Sequence, residues 1–177
     1  MAFDAFLVFS GEGAGASKIE GETSDEEMSK EKAFEILEFN FDVENTLNIG
    51  SASGGAGAGK VQFNEFVVKK RTDKSSSVLF LNCCSGGHFN DVYLLLRKAG
   101  VEKAKTGGNY LKFQFKLVAV KKIGWSGSTG DDVCEEEVTF EYGAIKLQYW
   151  WQDSTGKLDG PKEAEWSRIK NKATFTV

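Results

Sequence analysis

Histidine is almost missing from this chain: His88 is the only one in 177 residues. A multi-histidine metal site is thereby removed, and one imidazole is left to act as a base. Cysteine is scarce too. Cys83, Cys84 and Cys134 are odd in number and lack metal-ligand spacing, and adjacent Cys83 and Cys84 would bridge only with strain. They read as core thiols of a protein that folds in a reducing compartment. No apolar run reaches the roughly 18 to 20 residues of a membrane-spanning helix. The opening MAFDAFLVFS carries Asp4 where a signal peptide needs a basic region and lacks a convincing cleavage site, so it reads as a first strand. Export, on this reading, bypasses the general secretory route.

Charge is not concentrated either. Lys and Arg number 22 and Asp and Glu 26, a formal net charge of -4. Neither sign forms a long block, which disfavours electrostatic binding to nucleic acid. Lys69, Lys70 and Arg71 make a short basic run that reads as a solvated strand end. No helix-period pattern exceeds about three turns.

What the chain has is alternation. In LKFQFKLVAV, Leu111, Phe113, Phe115, Leu117 and Ala119 fall on one face and Lys112, Gln114 and Lys116 on the other. VTFEY repeats this with Val138, Phe140 and Tyr142, and AIKLQYWW with Ile145, Leu147, Tyr149 and Trp151. The single Gly143 between them indicates a tight turn or bulge. Phe34 and Ile36 are out of phase with Leu37, Phe39, Phe41 and Val43, and Phe63 is out of phase with Phe66 and Val68. Bulges reconcile such slips, and strongly curved sheets require them. Glycine-rich breaks at 11–17, 51–59, 106–108 and 124–132 read as loops. In SSSVLFLNCC, Ser75 or Ser76 can cap a short helix over about 76–85 that ends near Gly86 and Gly87. DVYLLLRKAG is ambiguous between helix and strand on period alone. The pattern predicts an all-β fold: a compact β-barrel of two packed sheets with one short flanking α-helix, residues 1–177 as a single domain, and a flexible glycine-rich loop at about 44–60. Half-polar strands with edges left open inside one subunit make assembly with a neighbour a physical option.

Candidate chemistry is thin. Gly54, Gly59 and Lys60 fit G-x-x-x-x-G-K, but Val61 stands where a hydroxyl should reach magnesium, and a β-rich run follows where a helix should begin. Cys83 or Cys84 with His88 could form a thiol and base pair, although nearness in sequence does not supply the geometry. Asp131, Asp132, Glu135, Glu136 and Glu137 do not match a calcium loop. Trp125, Trp150, Trp151 and Trp166 could stack on a sugar, yet Trp150 and Trp151 point to opposite faces of one strand. The residues therefore point to no catalytic site, no metal site and no cofactor.

Several ordered blocks carry a resemblance. MAFDAFLVF, IEGETSD at 19–25, FEILEFNF at 34–41, GAGAGKVQFNEFVVKK, DKSSSVLFLNCCSGGHF, LLLRKAG at 94–100 and VTFEYGAIKLQYWWQ at 138–152 follow one another, with Trp166, Asn171 and Lys172 near the end. In that order they resemble the Hcp family (haemolysin-coregulated proteins), the ring-forming tube proteins of bacterial type VI secretion. GEGAGAS, the segment around Met28 and the tail ATFTV depart from the family pattern. The resemblance implies a β-barrel with one short helix, DVYLLLRKAG as a strand and VTFEYGAIKLQYWWQ as a closing hairpin. It implies a structural protein and not an enzyme: homo-hexameric rings that stack into a tube inside contractile sheath proteins, capped by a VgrG-type spike, with secreted effectors carried in the channel.

No membrane insertion is implied, and localisation would be cytoplasmic during assembly and extracellular, or inside a target cell, after firing. Ser51, Ser53, Gly54, Gly55, Gly57 and Gly59 are the ring-stacking candidates, and Ser76, Ser77 and Asn82 the channel-facing helix candidates. The alternative is a monomeric β-barrel that binds a small apolar or carbohydrate ligand through its tryptophans.

Overall fold

The computed structural model describes residues 3–12, 18–46, 61–98, 108–154 and 158–177. Among them lie eleven strands and one helix: β1 (Phe3–Glu12), β2 (Phe34–Glu35), β3 (Glu38–Asn40), β4 (Val43–Asn45), β5 (Val61–Phe63), β6 (Phe66–Arg71), α1 (Ser76–Ser85), β7 (His88–Lys98), β8 (Asn109–Ser126), β9 (Glu135–Glu141), β10 (Ala144–Gln152) and β11 (Leu158–Ser167). The all-β expectation with one short helix holds. Two sheets are present as well, although they do not close into a barrel: nine strands form one antiparallel sheet in the path β2-β1-β7-β8-β9-β6-β3, with β10 and β11 branching from β8, and β4 and β5 form a separate pair.

The sheet curls without closing its ladder. Its two ends, β2 and β3, are consecutive pieces of chain, and the step between them crosses the gap. Ile36 N–H donates to Ala5 O at 2.9 Å and Leu37 N–H to Lys69 O at 2.8 Å, so adjacent amides pair with β1 and β6, the opposite margins of the sheet. This is the physical content of the phase slip at Ile36. The slip between Phe63 and Phe66 is where the chain passes from the β4–β5 pair into the main sheet, and Asn64 N–H bonds to Asp42 O at 3.2 Å at that corner.

Phenylalanine fills the interior. Phe66 stacks on Phe115 with centroids 4.5 Å apart and on Phe140 at 5.8 Å, while Phe9 meets Phe89 edge-on at 4.7 Å. Phe66, Phe115 and Phe140 are fully buried, and truncating any of them to alanine in such a core costs about 3–5 kcal/mol. A second, smaller core lies on the outside of β1 and β7. There Phe6, Val8 and Leu95 are covered by Met28 and Ala33. β1 and β7 are therefore buried on both faces, which is why YLLL shows no alternation even though it is a strand.

The covering segment, 18–33, packs backbone against backbone. Gly21 donates its N–H to Lys32 O at 2.7 Å, and a Cβ at Gly21 would sit 2.1 Å from Ala33 O. The glycine of the IEGE motif is thus a close-approach residue. Asp25 turns the segment by accepting from the Glu27 and Met28 amides at 3.1 and 3.0 Å, and Arg97 of β7 binds the same carboxylate at 3.2 and 2.5 Å.

β8 departs from the expected alternation. Leu117 has φ of 51°, and the inward face changes from Phe115 to Val118 and Val120 across it, leaving Leu117 exposed. Leu117 and Ala119 therefore do not continue the face of Phe113. The run Gly124 to Ser126, read as loop, is the end of β8. β9 and β10 are not a hairpin: β9 pairs with 119–126 of β8, and β10 pairs with 111–116. They are successive stretches along the same edge of β8, with Gly143 as the bulge between them.

The Arg97 guanidinium holds the Asp25 carboxyl well below the usual carboxylate range, against the opposing effect of burial. A depressed acid stabilises the fold above its unfolded pKa of about 3.9 and loses that contribution as pH falls through the folded value. Asp25→Asn should therefore lower the urea midpoint at pH 7, and the difference from the parent should shrink steadily below about pH 4.

Candidate functional site: an assembly surface

Helix α1 is fixed to the sheet by a buried charged network. Lys70 is only 1% exposed. Its Nζ donates to Glu136 Oε1 at 2.7 Å, Asp73 Oδ1 at 2.8 Å and Arg71 O at 2.8 Å, and lies 5.4 Å from the Phe34 ring centre. Ser76 Oγ donates to Glu136 Oε1 at 3.0 Å, and Trp125 Nε1 donates to Glu136 Oε2 at 2.9 Å. The network joins β6, β8, β9 and α1 at one point. The solvated reading of Lys70 is thus corrected: β6 alternates, and Lys70 falls on the inward face with Phe66 and Val68.

Ser75 stands at the N-cap as expected, but its side chain makes no capping hydrogen bond. The turn ahead of the helix is held by Asp73, whose Oδ1 accepts the Ser75 N–H at 2.8 Å while Ser76 Oγ accepts the Asp73 N–H at 3.0 Å. Gly86 ends the helix as expected, in the left-handed conformation with φ of 70° and its N–H on Asn82 O.

The three helix candidates separate. Ser76 and Asn82 are buried, one in the charged network and the other donating Nδ2 to Val78 O at 2.9 Å. Both side chains are enclosed within the subunit. Ser77 is exposed, in a stripe with Phe80, Leu81 and Cys84, the i, i+3, i+4, i+7 spacing of one helix face. Phe80 and Trp125 are 50% and 48% exposed, with ring centroids 6.1 Å apart. Sequence reasoning missed Phe80 and Leu81, and weighed Trp125 only as a sugar-stacking residue. Helical periodicity applied to SSVLFLNCC places Phe80 and Leu81 opposite Leu79 and Asn82 and could have found them. Ser51, Ser53, Gly54, Gly55, Gly57 and Gly59 lie outside the described residues.

Only Cys83 of the three thiols packs against the core. Cys84 and Cys134 are exposed and Cys83 is half-buried. Among the described residues no three His, Cys, Asp or Glu side chains gather as a metal site requires, and no helix is long and apolar enough to cross a membrane.

A second surface lies at the branch of the sheet. β10 and β11 form a two-stranded ribbon, and β11 has no strand on its outer edge among the described residues. Between this ribbon and the β4–β5 pair runs an apolar groove of about 430 Å³, lined by Phe41, Val43, Phe63, Phe113, Leu147 and Trp166 among others. The enclosed Trp166 Nε1 has no hydrogen-bond partner there. Leu147, Tyr149 and Trp151 are exposed along β10. Three of the four tryptophans have different surroundings: Trp125 stands beside α1, Trp166 lines the groove, and Trp151 packs on Gly160.

An uncharged exposed helix face, an apolar groove and an open strand edge suit contact with other protein better than chemistry. The comparisons with known proteins agree. The family profile described as "Type VI secretion system effector, Hcp" matches residues 6–149. The chain belongs to the Hcp family. It is similar to "Protein hcp1" of Pseudomonas aeruginosa, 33% identical over 113 residues that cover 63% of this chain and 68% of that protein. A solved type six secretion system protein superposes with a TM-score of 0.84 at 27% identity, covering 98% of this chain and all of that one. Hcp1 from Salmonella typhimurium does so with a TM-score of 0.72, at the same identity and coverage. The Hcp match spans β1 through most of β10 and leaves β11 and the residues after it outside.

In this Hcp protein, breaking the buried charge pair should cost far more than replacing it. Lys70→Met leaves Glu136 buried without its cation and should lower stability by about 3–5 kcal/mol. Lys70→Met with Glu136→Met should recover part of that loss, because the buried carboxylate goes with its cation, while Asp73, Ser76 and Trp125 still lose a partner. Urea titration followed by tryptophan emission checks both.

Proposed function

We propose that this chain is the tube subunit of a type VI secretion system, closing into hexameric rings that stack, are expelled with a VgrG-type spike from within a contractile sheath, and carry effectors in the channel. The observation that carries the reading is membership of the Hcp family together with a subunit that leaves both a strand edge and apolar surfaces uncovered. A head-to-tail ring repeats one interface until it closes, and that requires complementary surfaces and not catalytic residues. Stacking then adds six equivalent contacts at once, so each can be weak. Assembly in the cytoplasm followed by release outside the cell follows from this role.

A second reading rests on the groove beside Trp166. Its volume and apolar lining also suit a small apolar ligand of a monomeric protein. Native mass spectrometry with negative-stain images separates the two. A six-subunit species with an open centre is expected, whereas a monomer at micromolar concentration would favour the ligand-binding reading.

The glycine-rich run 51–59 is proposed as the ring-stacking element, since such a segment can adapt to the surface of the next ring. Replacing Gly55 and Gly57 with aspartate should abolish tubes seen by electron microscopy and leave the ring mass unchanged. Tubes of normal length in that variant would remove 51–59 from the account.

A further inference from the structure

The sheet branches at one place, and the last segment of the chain lies across it. On one side of Leu117 and Gly143 the outer edge of β9 pairs with β6; on the other, the outer edge of β10 pairs with β11. The ribbon is joined to the body by the pairing of β10 with 111–116 of β8, and beyond Tyr149 its two strands pair only with each other among the described residues. A ribbon with an open outer edge, joined to the body along one side only, can open locally while the rest of the sheet stays paired.

Residues 168–177 grip the branch point. Arg168 N–H donates to Gly143 O at 2.9 Å. Its Nη1 donates to Glu141 Oε2 and to Tyr142 O, both at 2.9 Å, and the guanidinium lies 4.6 Å from the Tyr142 ring centre. The chain then turns back, with Ser167 N–H on Lys172 O at 3.0 Å and Asn171 at φ of 48°. Its return brings Phe175 beneath Lys116, with Nζ 4.9 Å from the ring centre. A Cβ placed on Gly143 would meet Ile169 Cδ1 at 2.9 Å, Val177 Cγ1 at 3.0 Å and Leu117 Cβ at 3.3 Å. Gly143 is therefore not only a bulge but the seat on which the segment rests.

We propose that residues 168–177 form a strap that holds the β10–β11 ribbon against the body of the sheet, with Arg168 as its positioning residue. The strap bears on both β8 and the β9–β10 junction, while the ribbon forms one wall of the apolar groove. Arg168 is suited to this because one planar side chain reaches a carboxylate, a carbonyl and an aromatic face together, which a lysine cannot do.

Hydrogen exchange of backbone amides tests the strap. In Arg168→Ala, and in the chain ended after Lys172, amides of 144–149 and 158–166 should exchange about tenfold faster. Those of Leu7, Val92 and Leu94 should be unchanged. Phe175→Ala should give the same pattern more weakly, and keeps the test alive if the shortened chain does not fold. Arg168→Lys should give part of the loss. Equal acceleration throughout the sheet, or unchanged exchange in the ribbon, would overturn the proposal.

Discussion

The structure is organised by one strand that is too long for the body it serves. β8 has 18 residues, which at a rise of about 3.3 Å each amounts to roughly 60 Å of extended chain. Every amide along both margins of such a strand requires a partner or water. One margin is met by β7 along 109–119, while the other is met first by β10 and then by β9. The change of partner at Leu117 and Gly143 turns the side chains over and splits the outer margin between β6 and β11. It thereby creates both the aromatic interior and the ribbon that leaves it.

The second constraint is the buried network around Lys70 and Glu136. Such a pair contributes little net stability over apolar side chains of similar volume, because desolvating two charges offsets their attraction. Its effect is geometric. It ties the start of α1, through Asp73 and Ser76, to β6 and β9, and it fixes the indole of Trp125 through Glu136. The exposed stripe of Ser77, Phe80, Leu81 and Cys84 is consequently presented in one orientation, with Trp125 beside Phe80. A small uncharged helix held this rigidly is a preformed contact surface, and little conformational entropy remains to be lost when something covers it.

Membership of the Hcp family and the geometry bear on function in different ways. The family places the chain in type VI secretion. The geometry shows where a subunit has surface to spare: the helix stripe, the groove beside Trp166 and the outer edge of β11. These three surfaces lie on different elements. The residues that carry them are mostly apolar or aromatic side chains on strands and a helix, not acids, bases or metal ligands.

Much of the sheet was legible in the sequence, because a strand with one buried face carries period 2 in its residues. Phe113 and Phe115, or Val138, Phe140 and Tyr142, could be placed without coordinates. The slips at Ile36 and between Phe63 and Phe66 also marked real changes of partner, and Gly86 marked the helix end. Other features depended on residues far away in the chain. Lys70 looks solvated until Glu136, 66 positions on, is brought against it, and Ser76 and Asn82 look like surface polar residues until their side chains find buried partners. β7 has no alternation because a separate segment covers its outer face. β11 has hardly any apolar pattern, being a strand held by backbone pairing along one edge. Local periodicity determined which stretches extend and which faces are apolar. Only tertiary pairing decided where the long strand changes partner, which polar groups are buried and which apolar ones remain outside, because those depend on the energy of contacts between distant residues.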